Sequence, residues 1–398
     1  MNPAPAKPFV AIACGGTGGH LFPGIAVAGE LRARGACCVL LISRKEVDQE
    51  AARTAPELEA VTLPAVAWNW RHPVRFLRAA LSSHGEARAL FQKRAPDAVL
   101  AMGGFTSLPA AFAARGCGAK IFLHESNAIP GRANRLLARH ADEAFIGFDS
   151  ASAQLAARRV TLTGTPVREQ FQVQDPAAAR IALGLDPVRP VLLVMGGSQG
   201  ARGVNDLVLA ALPSLVEAAP QLQLIHLTGA GDEAKVLAAL SKLRMRAVVR
   251  PFFSKMELAV SAASVAVSRA GASTLAELAA LRVPSVLVPY PHAADNHQWF
   301  NARAFERTGA ARMLWSHHAT PADLARFVLE LLSQPPARAA MAAALAHWHH
   351  PDAAARIAGR ILSVLGIPEG VARRAASSHR DFAGGSGDLR ETLLHSTP

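Results

Sequence analysis

Residues 9–20 read FVAIACGGTGGH, and this stretch decides the fold that the sequence predicts. Its first five residues are apolar and glycines follow closely, which is typical of a short buried strand. The next segment, residues 25–34, has helical spacing. A strand, a glycine turn and the start of a helix place free backbone N–H groups and the positive helix end at one point. That arrangement suits a phosphate or another anion.

The same pattern occurs again at residues 191–200, VLLVMGGSQG, and residues 205–219 after it again have helical spacing. Gly16 and Gly197 lie 181 positions apart. This separation is too long for a small repeat and fits two successive α/β domains. We therefore predict an α/β protein with two Rossmann-like domains, whose parallel sheets face each other across a cleft.

Short apolar runs alternate with alanine-rich helical segments along the rest of the chain, as in open parallel sheets. Glycine and proline interrupt this pattern at residues 163–168, where we expect the connection between the domains. The predicted division is a first domain over residues 1–164, a second over 165–345, a helix over 346–365 that packs back on the first domain, and a disordered tail over 366–398. Further strands are predicted at residues 39–42, 98–101, 120–123, 222–227, 247–249, 264–267 and 285–288.

The composition is that of a globular chain: 51% of its 398 residues are apolar and 18% are charged. Its four cysteines lack Cys-x-x-Cys spacing, so we expect neither a metal site nor a disulfide framework, and a reducing compartment. No apolar stretch reaches the length of about 18–20 residues that spans a bilayer. The net charge of +12 is the outlier, and it is consistent with nucleic acid, an anionic membrane or anionic substrates as partners.

One cluster of these cations lies at residues 68–81, WNWRHPVRFLRAAL, where arginines with helical spacing alternate with large apolar residues. Such a segment suits a lipid headgroup interface, because the apolar groups enter it and the arginines meet phosphates. The alternative is an ordinary amphipathic helix with a solvated basic edge. The residues expected to contact a membrane are Trp68, Trp70, Arg71, Arg75, Phe76, Leu77, Arg78 and Leu81.

The first glycine turn ends in His20, whose imidazole would lie at the mouth of the cleft and could accept a proton near neutral pH. A histidine that caps a helix or binds a carbonyl group is the alternative. Neither glycine turn has the G-x-G-x-x-G spacing of dinucleotide-binding domains or the Gly-Lys-Ser/Thr end of a phosphate-binding loop.

A second group of candidates lies in residues 268–278, SRAGASTLAEL. A strand end, Gly271, small hydroxyl residues and Glu277 on the following helix together indicate a nucleotide pocket, in which a carboxylate can accept both ribose hydroxyls. His297 and Gln298 offer the neutral donors and acceptors that bind sugar hydroxyls. Taken alone, Glu277 would more simply be a solvated helix residue.

Two other classes of protein share parts of this pattern. A nicotinamide-dependent oxidoreductase has paired α/β domains, but residues 14–40 lack its glycine fingerprint and its acidic residue. A nucleic-acid-binding protein would explain the charge, but no reading module is recognised and only 6% of the residues are aromatic.

In their order along the chain, the motifs resemble those of the MurG family, the cell-wall N-acetylglucosaminyltransferases of glycosyltransferase family 28. The resemblance covers residues 8–364 and rests on the turn at 15–20, Met102-Gly103-Gly104-Phe105, the segment HESNA at 124–128, the turn at 196–200, residues 268–277 and His297-Gln298. It implies the GT-B fold, with a C-terminal domain that binds UDP-N-acetylglucosamine and an N-terminal domain that receives a lipid-linked acceptor. Other glycosyltransferases with glycolipid acceptors would share the fold.

The resemblance also implies roles for residues. Glu277 would bind the ribose, and His20 would be the base for the C4 hydroxyl of N-acetylmuramic acid, with Glu125 as the other candidate. Attack at the anomeric carbon would invert its configuration. The remaining substrate-binding residues would be Thr17, Gly18, Gly19, Asn127, Arg168, Ser198, Gln199, Ala272, Ser273, Thr274, His297 and Gln298.

The partners implied are UDP-N-acetylglucosamine, lipid I and an anionic membrane surface, with other cell-wall synthesis proteins as further candidates and no nucleic acid. Lipid I is the undecaprenyl-pyrophosphoryl-linked acceptor, and its glucosaminylated product is lipid II. No cofactor and no metal are implied. The implied location is the cytoplasmic face of the inner membrane, as a peripheral protein.

Overall fold

The computed structural model describes residues 7–16, 18–66, 73–197, 200–315 and 318–367, and these residues form two α/β units. The N-terminal unit contains strands β1 (Phe9–Ala13), β2 (Cys37–Ser43), β3 (Glu59–Leu63), β4 (Ala98–Ala101), β5 (Lys120–Glu125), β6 (Glu143–Ile146) and β7 (Val160–Leu162). The C-terminal unit contains β8 (Val191–Met195), β9 (Gln223–Leu227), β10 (Ala247–Arg250), β11 (Val265–Ser268), β12 (Ser285–Leu287) and β13 (Arg312–Met313).

Helices connect these strands and cover both faces of each sheet. In the N-terminal unit they are α1 (Gly18–Ala33), α2 (Glu46–Arg53), α3 (Pro73–Lys93), α4 (Ser107–Arg115) and α5 (Arg132–Ala138). In the C-terminal unit they are α6 (Pro176–Ala182), α7 (Arg202–Ala218), α8 (Glu233–Leu240), α9 (Met256–Ala262), α10 (Ala272–Ala280), α11 (His297–Arg307), α12 (Pro321–Ser333) and α13 (Pro335–Ala346). The last described helix is α14 (Ala353–Val364).

The described strands form two parallel sheets, and each glycine turn follows a central strand. The orders are β3-β2-β1-β4-β5-β6-β7 and β10-β9-β8-β11-β12-β13. Strand β1 lies between β2 and β4, and β8 lies between β9 and β11. The carboxyl ends of β1 and β8 are therefore beside the points where the strand order of each sheet reverses. Ligands of open α/β sheets bind at this point, outside the carboxyl ends of the strands.

The central strands are apolar without interruption because both of their faces are buried. Along β1, Val10 and Ile12 lie in one apolar cluster, while Ala11 and Ala13 lie in the cluster on the other side of the sheet. Each of these four residues has an exposed fraction of zero. The two-domain parallel α/β fold and the strands predicted from apolar runs are confirmed.

The helix α14 packs on the N-terminal unit although it follows the C-terminal unit in the chain. Ile357 and Ile361 of α14 belong to the same buried cluster as Val10 and Ile12 of β1, and α14 lies against α1. The chain returns to the N-terminal unit beside Gly164, in the segment where it first passed from the N-terminal to the C-terminal unit. There the His350 ring packs against Gly164 and leaves no room for a Cβ atom on that residue. Gly164 also has a φ of +79°, which favours glycine.

An ion pair between a buried carboxylate and a half-buried arginine adds a polar contact to this packing. Glu143 at the start of β6 is 1% exposed and accepts hydrogen bonds from Arg360 Nη2 at 2.9 Å and from Thr161 Oγ1 at 2.6 Å. We expect Arg360→Ala to lower the free energy of unfolding by about 1–3 kcal/mol, because it removes the best-placed charged partner of a buried carboxylate.

Denaturant unfolding measures this change. The control is Arg303→Ala, which removes one member of the exposed pair Arg303–Glu306 and should cost at most about 1 kcal/mol. Equal losses in the two variants would contradict a stabilising role for the Glu143–Arg360 pair.

Candidate active site

A cavity of about 1240 Å³ lies between the two units, at the carboxyl ends of both sheets. The units contact each other around it: Ser273 Oγ donates to the Gly19 carbonyl oxygen at 2.9 Å, and Asp295 forms ion pairs with Arg132 at 3.2 Å and Arg135 at 2.7 Å. The predicted site residues that line the cavity are Gly18, Gly19, His20, Glu125, Asn127, Arg168, Ala272, Ser273, Thr274, Glu277, His297 and Gln298. Thr17, Ser198 and Gln199 lie outside the described residues.

His20 lies in the first turn of α1, and its ring packs against a third glycine turn, which contains Gly103 and Gly104. A Cβ atom on Gly103 would lie 2.9 Å from His20 Cε1, and one on Gly104 would lie 3.1 Å from His20 Cδ2. Both glycines also have positive φ values. The turn therefore needs glycine both for its backbone conformation and to make room for the imidazole.

The surroundings of His20 favour its neutral form. Burial lowers the pKa of His20, and the nearby carboxylate of Glu125 opposes this effect only in part. The Met102 carbonyl also raises the pKa, yet no hydrogen bond of ordinary geometry from the described residues reaches the buried Nδ1 atom. A neutral imidazole in a substrate-sized cavity is a chemically competent proton acceptor.

The carboxylate of Glu125 lies at the end of β5 and holds the following loop. Its Oε1 accepts from the backbone N and Nδ2 of Asn127 at 2.9 and 3.0 Å, and its Oε2 accepts from Gly131 N and Asn134 Nδ2, both at 2.9 Å. A carboxylate has about four acceptor positions, and these four donors occupy them. Of the two candidate bases, the geometry favours His20.

On the opposite wall, Glu277 lies beside Arg168. The Arg168 Nη2 atom is 3.5 Å from Glu277 Oε1, and the guanidinium group packs over the rings of Phe22 and Phe171. Burial raises the pKa of Glu277 to about 7, although the charge of Arg168 lowers it. Arg168 was predicted as a substrate-binding residue, and its guanidinium group lies directly against the proposed ribose carboxylate.

The helix α10 begins at the cavity with uncapped donors. Gly271 precedes it in an extended conformation, and among the described residues no side chain caps its first turn. The first backbone N–H groups of a helix have no partner within the helix and bind anions well. Ala272, Ser273 and Thr274 form this turn, so a diphosphate at this point would also meet the hydroxyl group of Thr274, whereas that of Ser273 donates to Gly19.

His297 and Gln298 begin α11 on the same side. Gln298 Oε1 accepts from the backbone N atoms of Tyr290 at 2.9 Å and Ala270 at 3.3 Å, so its amide N–H groups remain as donors. His297 Nδ1 lies 2.8 Å from the Ala294 carbonyl oxygen, a contact that assigns the proton to Nδ1 and leaves Nε2 as an acceptor.

The backbone of the first glycine turn is already occupied. Gly15 donates its N–H to the Leu41 carbonyl oxygen and accepts from Thr106 Oγ1 at 2.8 Å. Gly16 donates to Asp48 Oδ2 at 2.6 Å and accepts from Lys45 Nζ at 2.8 Å. The free N–H groups expected at these two glycines are therefore absent, and the start of α1 is the part of this turn that can still meet an anion.

The segment predicted to contact a membrane is described from residue 73 onward, so Trp68, Trp70 and Arg71 lie outside the described residues. Along α3, Leu77 and Leu81 are exposed, and so are Arg75 and Arg78. Phe76 is half-buried and lines the cavity. In the described ranges, no helix has the length and apolar character needed to cross a bilayer, and no three His, Cys, Asp or Glu side chains are grouped as metal ligands.

Comparison with known proteins assigns both units to one family. The model of the glycosyltransferase family 28 N-terminal domain matches residues 10–146, and the model of the family 28 C-terminal domain matches residues 191–357. A protein of Geotalea uraniireducens is 37% identical over 330 residues, which cover 81% of this chain and 89% of its own length. A protein of Chlorobium phaeobacteroides is 37% identical over 367 residues, which cover 89% and 98%.

The chain belongs to glycosyltransferase family 28. Both relatives are named UDP-N-acetylglucosamine–N-acetylmuramyl-(pentapeptide) pyrophosphoryl-undecaprenol N-acetylglucosamine transferase. The predicted membership of this family and the predicted glycosyltransferase activity are thereby confirmed.

Solved structures agree with the family 28 assignment. MurG of Acinetobacter baumannii superposes with a TM-score of 0.69 and 25% identity, covering 90% of this chain and all of that chain. A UDP-GlcNAc 2-epimerase of Neisseria meningitidis, bound to UDP-GlcNAc, superposes with a TM-score of 0.65, covering 90% and 100%. Its identity of 12% shows a likeness of fold alone. The two facing sheets of this family 28 chain are therefore a GT-B fold.

Three polar residues of this family 28 site were not predicted from the sequence. Asn301 is fully buried, and it joins the units by accepting from Ala128 N at 2.8 Å and donating to Asn127 Oδ1 at 3.1 Å. Asp48 and Lys45 hold the first glycine turn. None of the three lies in a glycine-rich motif, and their partners are distant in the sequence, so no local signal identifies them.

Proposed function

We propose that this chain transfers N-acetylglucosamine from UDP-N-acetylglucosamine to the C4 hydroxyl of N-acetylmuramic acid in lipid I, which gives lipid II and UDP. The observation that carries the proposal is that one cavity holds the neutral imidazole of His20 on one wall and the uncapped start of α10 with Glu277 on the other. The names of the relatives supply the two substrates.

On the donor side, the carboxylate of Glu277 accepts hydrogen bonds from the ribose hydroxyls. The N–H groups at the start of α10 bind the diphosphate, and Gln298 and His297 contact the sugar. These donors face the place where negative charge develops as UDP leaves, so they stabilise the transition state without reorganising.

On the acceptor side, the C4 oxygen of N-acetylmuramic acid attacks the anomeric carbon of the donor sugar. Its proton passes to His20, the new C–O bond forms, and the bond from the anomeric carbon to the diphosphate oxygen breaks. Because the attack comes from the face opposite UDP, the α linkage of the donor becomes a β linkage. Glu125 does not take the proton; its carboxylate holds the loop that carries Asn127, which lines the cavity where the acceptor binds.

We also propose that the protein binds the cytoplasmic face of the inner membrane through an apolar patch, which consists of Val74, Leu77 and Leu81 of α3 with Leu136 of α5. The exposed fractions of these side chains lie between 47% and 63%. Leu81 and Leu136 also line the cavity, so the patch reaches the mouth of the site. The exposed Arg75 and Arg78 on α3 add the cations that an anionic surface attracts, each worth about 1 kcal/mol.

The membrane proposal is tested by the double variant Val74→Ser, Leu77→Ser, which changes two patch residues outside the cavity lining. We expect roughly tenfold weaker binding to anionic vesicles, because about 1.4 kcal/mol of apolar burial is lost. Turnover of lipid I in vesicles should fall, while turnover of a soluble short-chain acceptor is kept.

The control is Val188→Ser, which changes a residue of the C-terminal unit that is 85% exposed. Unchanged vesicle binding in the double variant would place the membrane surface elsewhere. Equal losses with both acceptors would show that Val74 and Leu77 support the fold instead.

The transfer itself is tested by incubating the purified protein with labelled UDP-N-acetylglucosamine and a soluble lipid I analogue. Other UDP-sugars, and an analogue without the C4 hydroxyl, are the controls. Label should enter the acceptor only when the correct donor and the free hydroxyl are both present. Transfer to the deoxy analogue, or hydrolysis without transfer, would refute the proposed reaction.

A further inference from the structure

The backbone N–H and C=O groups of Gly16 are both held by side chains of residues that lie outside the sequence motifs. Asp48 of α2 has an exposed fraction of zero, and its Oδ2 accepts from Gly16 N at 2.6 Å. Lys45 Nζ donates to the Gly16 carbonyl oxygen at 2.8 Å and lies 5.2 Å from the centre of the Phe105 ring. A glycine with a φ of +125° has many other conformations, so these contacts select one of them.

The same Asp48 oxygen joins the turn after β1 to the end of the neighbouring strand β2. It accepts from the backbone N of Ser43 at 3.2 Å and from Ser43 Oγ at 2.5 Å, and Ser43 is the last residue of β2. Burying a carboxylate costs free energy unless its hydrogen bonds compensate. Apolar residues packed at the same place often stabilise a fold equally or better than a buried charge does. The position of Asp48 at a turn of the active site therefore suggests a role beyond stability.

The turn that Asp48 holds leads directly to the candidate base, since His20 is four residues beyond Gly16. The His20 ring rests on Gly103 and Gly104, and the same third turn is tied to the first by the hydrogen bond from Thr106 to Gly15. His20 is thus located by two interlocked turns, and Asp48 fixes one of them.

We propose that Asp48 is a positioning residue for the transfer reaction: its carboxylate holds the Gly16 peptide and thereby sets where α1 presents His20. This inference rests on the proposed role of His20 as the base. A displacement of about 1 Å at the reacting centre can lower a rate by about a hundredfold, so a residue that fixes the turn acts on turnover more than on donor binding.

Charge provides a second route from Asp48 to His20. The titratable groups that act on His20 are Glu125 and His124 of β5, Asp48 of α2 and His297 of α11. Asp48 and Glu125 raise the pKa of His20, and His297 lowers it. Removing the charge of Asp48 should therefore lower the pKa of His20, and the acid limb of the rate profile should move to lower pH.

The test is a double-mutant cycle with Asp48→Ala and His20→Ala, assayed on the soluble acceptor. We expect Asp48→Ala alone to lower kcat by about 10- to 100-fold and to change the affinity for UDP less than about twofold. In the His20→Ala background, the same substitution should change kcat less than about twofold, because the group on which it acts is gone.

Asp48→Asn keeps an oxygen acceptor of the same size, so it reports on charge even if the alanine variant folds poorly. It should move the acid limb of kcat, measured at saturating donor, to lower pH, whereas Glu46→Gln, which changes an exposed carboxylate on the same helix, should not. Equal loss from Asp48→Ala in both backgrounds, or an unmoved acid limb in Asp48→Asn, would overturn the proposal. Full turnover by His20→Ala alone would instead refute the assignment of the base.

Discussion

His20→Ala should lower kcat by about two to four orders of magnitude and leave the affinity for UDP nearly unchanged. The reason is that the imidazole acts on the acceptor hydroxyl in the transition state and makes no contact that the nucleotide needs. Steady-state kinetics with a soluble acceptor measure kcat, and calorimetry with UDP measures the affinity.

The pH dependence gives an independent check of His20. The base must be neutral, and burial lowers its pKa from the ordinary value of 6.5. At saturating donor, kcat should therefore persist below pH 6.5 and be lost as the pH falls through the pKa of His20. His140→Ala, which removes an exposed histidine, is the control and should keep this profile. If His20→Ala retains turnover while Glu125→Gln loses it with an intact fold, Glu125 is the base.

Glu277→Ala should raise the KM for UDP-N-acetylglucosamine about 10- to 100-fold. The substitution removes a charged acceptor of two ribose hydroxyls, and hydrogen bonds to charged groups are worth about 1.5–3 kcal/mol. Glu257→Gln is a matched control, because Glu257 is near enough to act on the pKa of Glu277 and has no part in the proposed ribose contact. An unchanged KM in Glu277→Ala would refute the ribose assignment.

The raised pKa of Glu277 adds a pH signature to donor binding. The ionised carboxylate is the better acceptor for ribose, and its pKa in the free protein is about 7. The affinity for UDP should therefore fall as the pH drops through about 7. Calorimetry one unit above and one unit below that value measures the change. Glu277→Gln should remove this dependence, and its persistence in that variant would assign the titration to another group.

The sequence predicts the centre of each sheet well and the edges poorly. Strands β1 and β8 are buried on both faces, so their apolar runs are continuous. In contrast, β3 (Glu59–Leu63) is an edge strand with several exposed residues, and β13 has two residues. Such strands are defined by pairing with a neighbour and not by their own composition, which is why the edge strands β3, β7 and β13 were not predicted. The edge strand β10 was predicted from its apolar run, whereas β6, which is buried between β5 and β7, was not predicted because its short run begins with Glu143.

The residues of the site also divide into those that the sequence predicts and those that it does not. Motif residues such as His20 and Glu277 line the cavity because a glycine turn or a helix start places them at the carboxyl edge of a sheet. The side chains that lock these motifs come from segments without a pattern. Glu125 was recognised only as a candidate base, and its four hydrogen bonds to the following loop depend on a fold that the sequence alone does not supply.

The position of α14 has a consequence for synthesis of the chain on the ribosome. The buried cluster that contains Val10 and Ile12 also contains Ile357 and Ile361, so the first domain to be made lacks part of its core until nearly the last described residue has been added. During translation, the surface of the first sheet that α14 later covers is exposed while the whole C-terminal domain is being produced. Exposed apolar surface of this kind binds chaperones or promotes aggregation. The C-terminal domain, whose core includes α7 and α12, can form first, so the order of folding can run opposite to the order of synthesis.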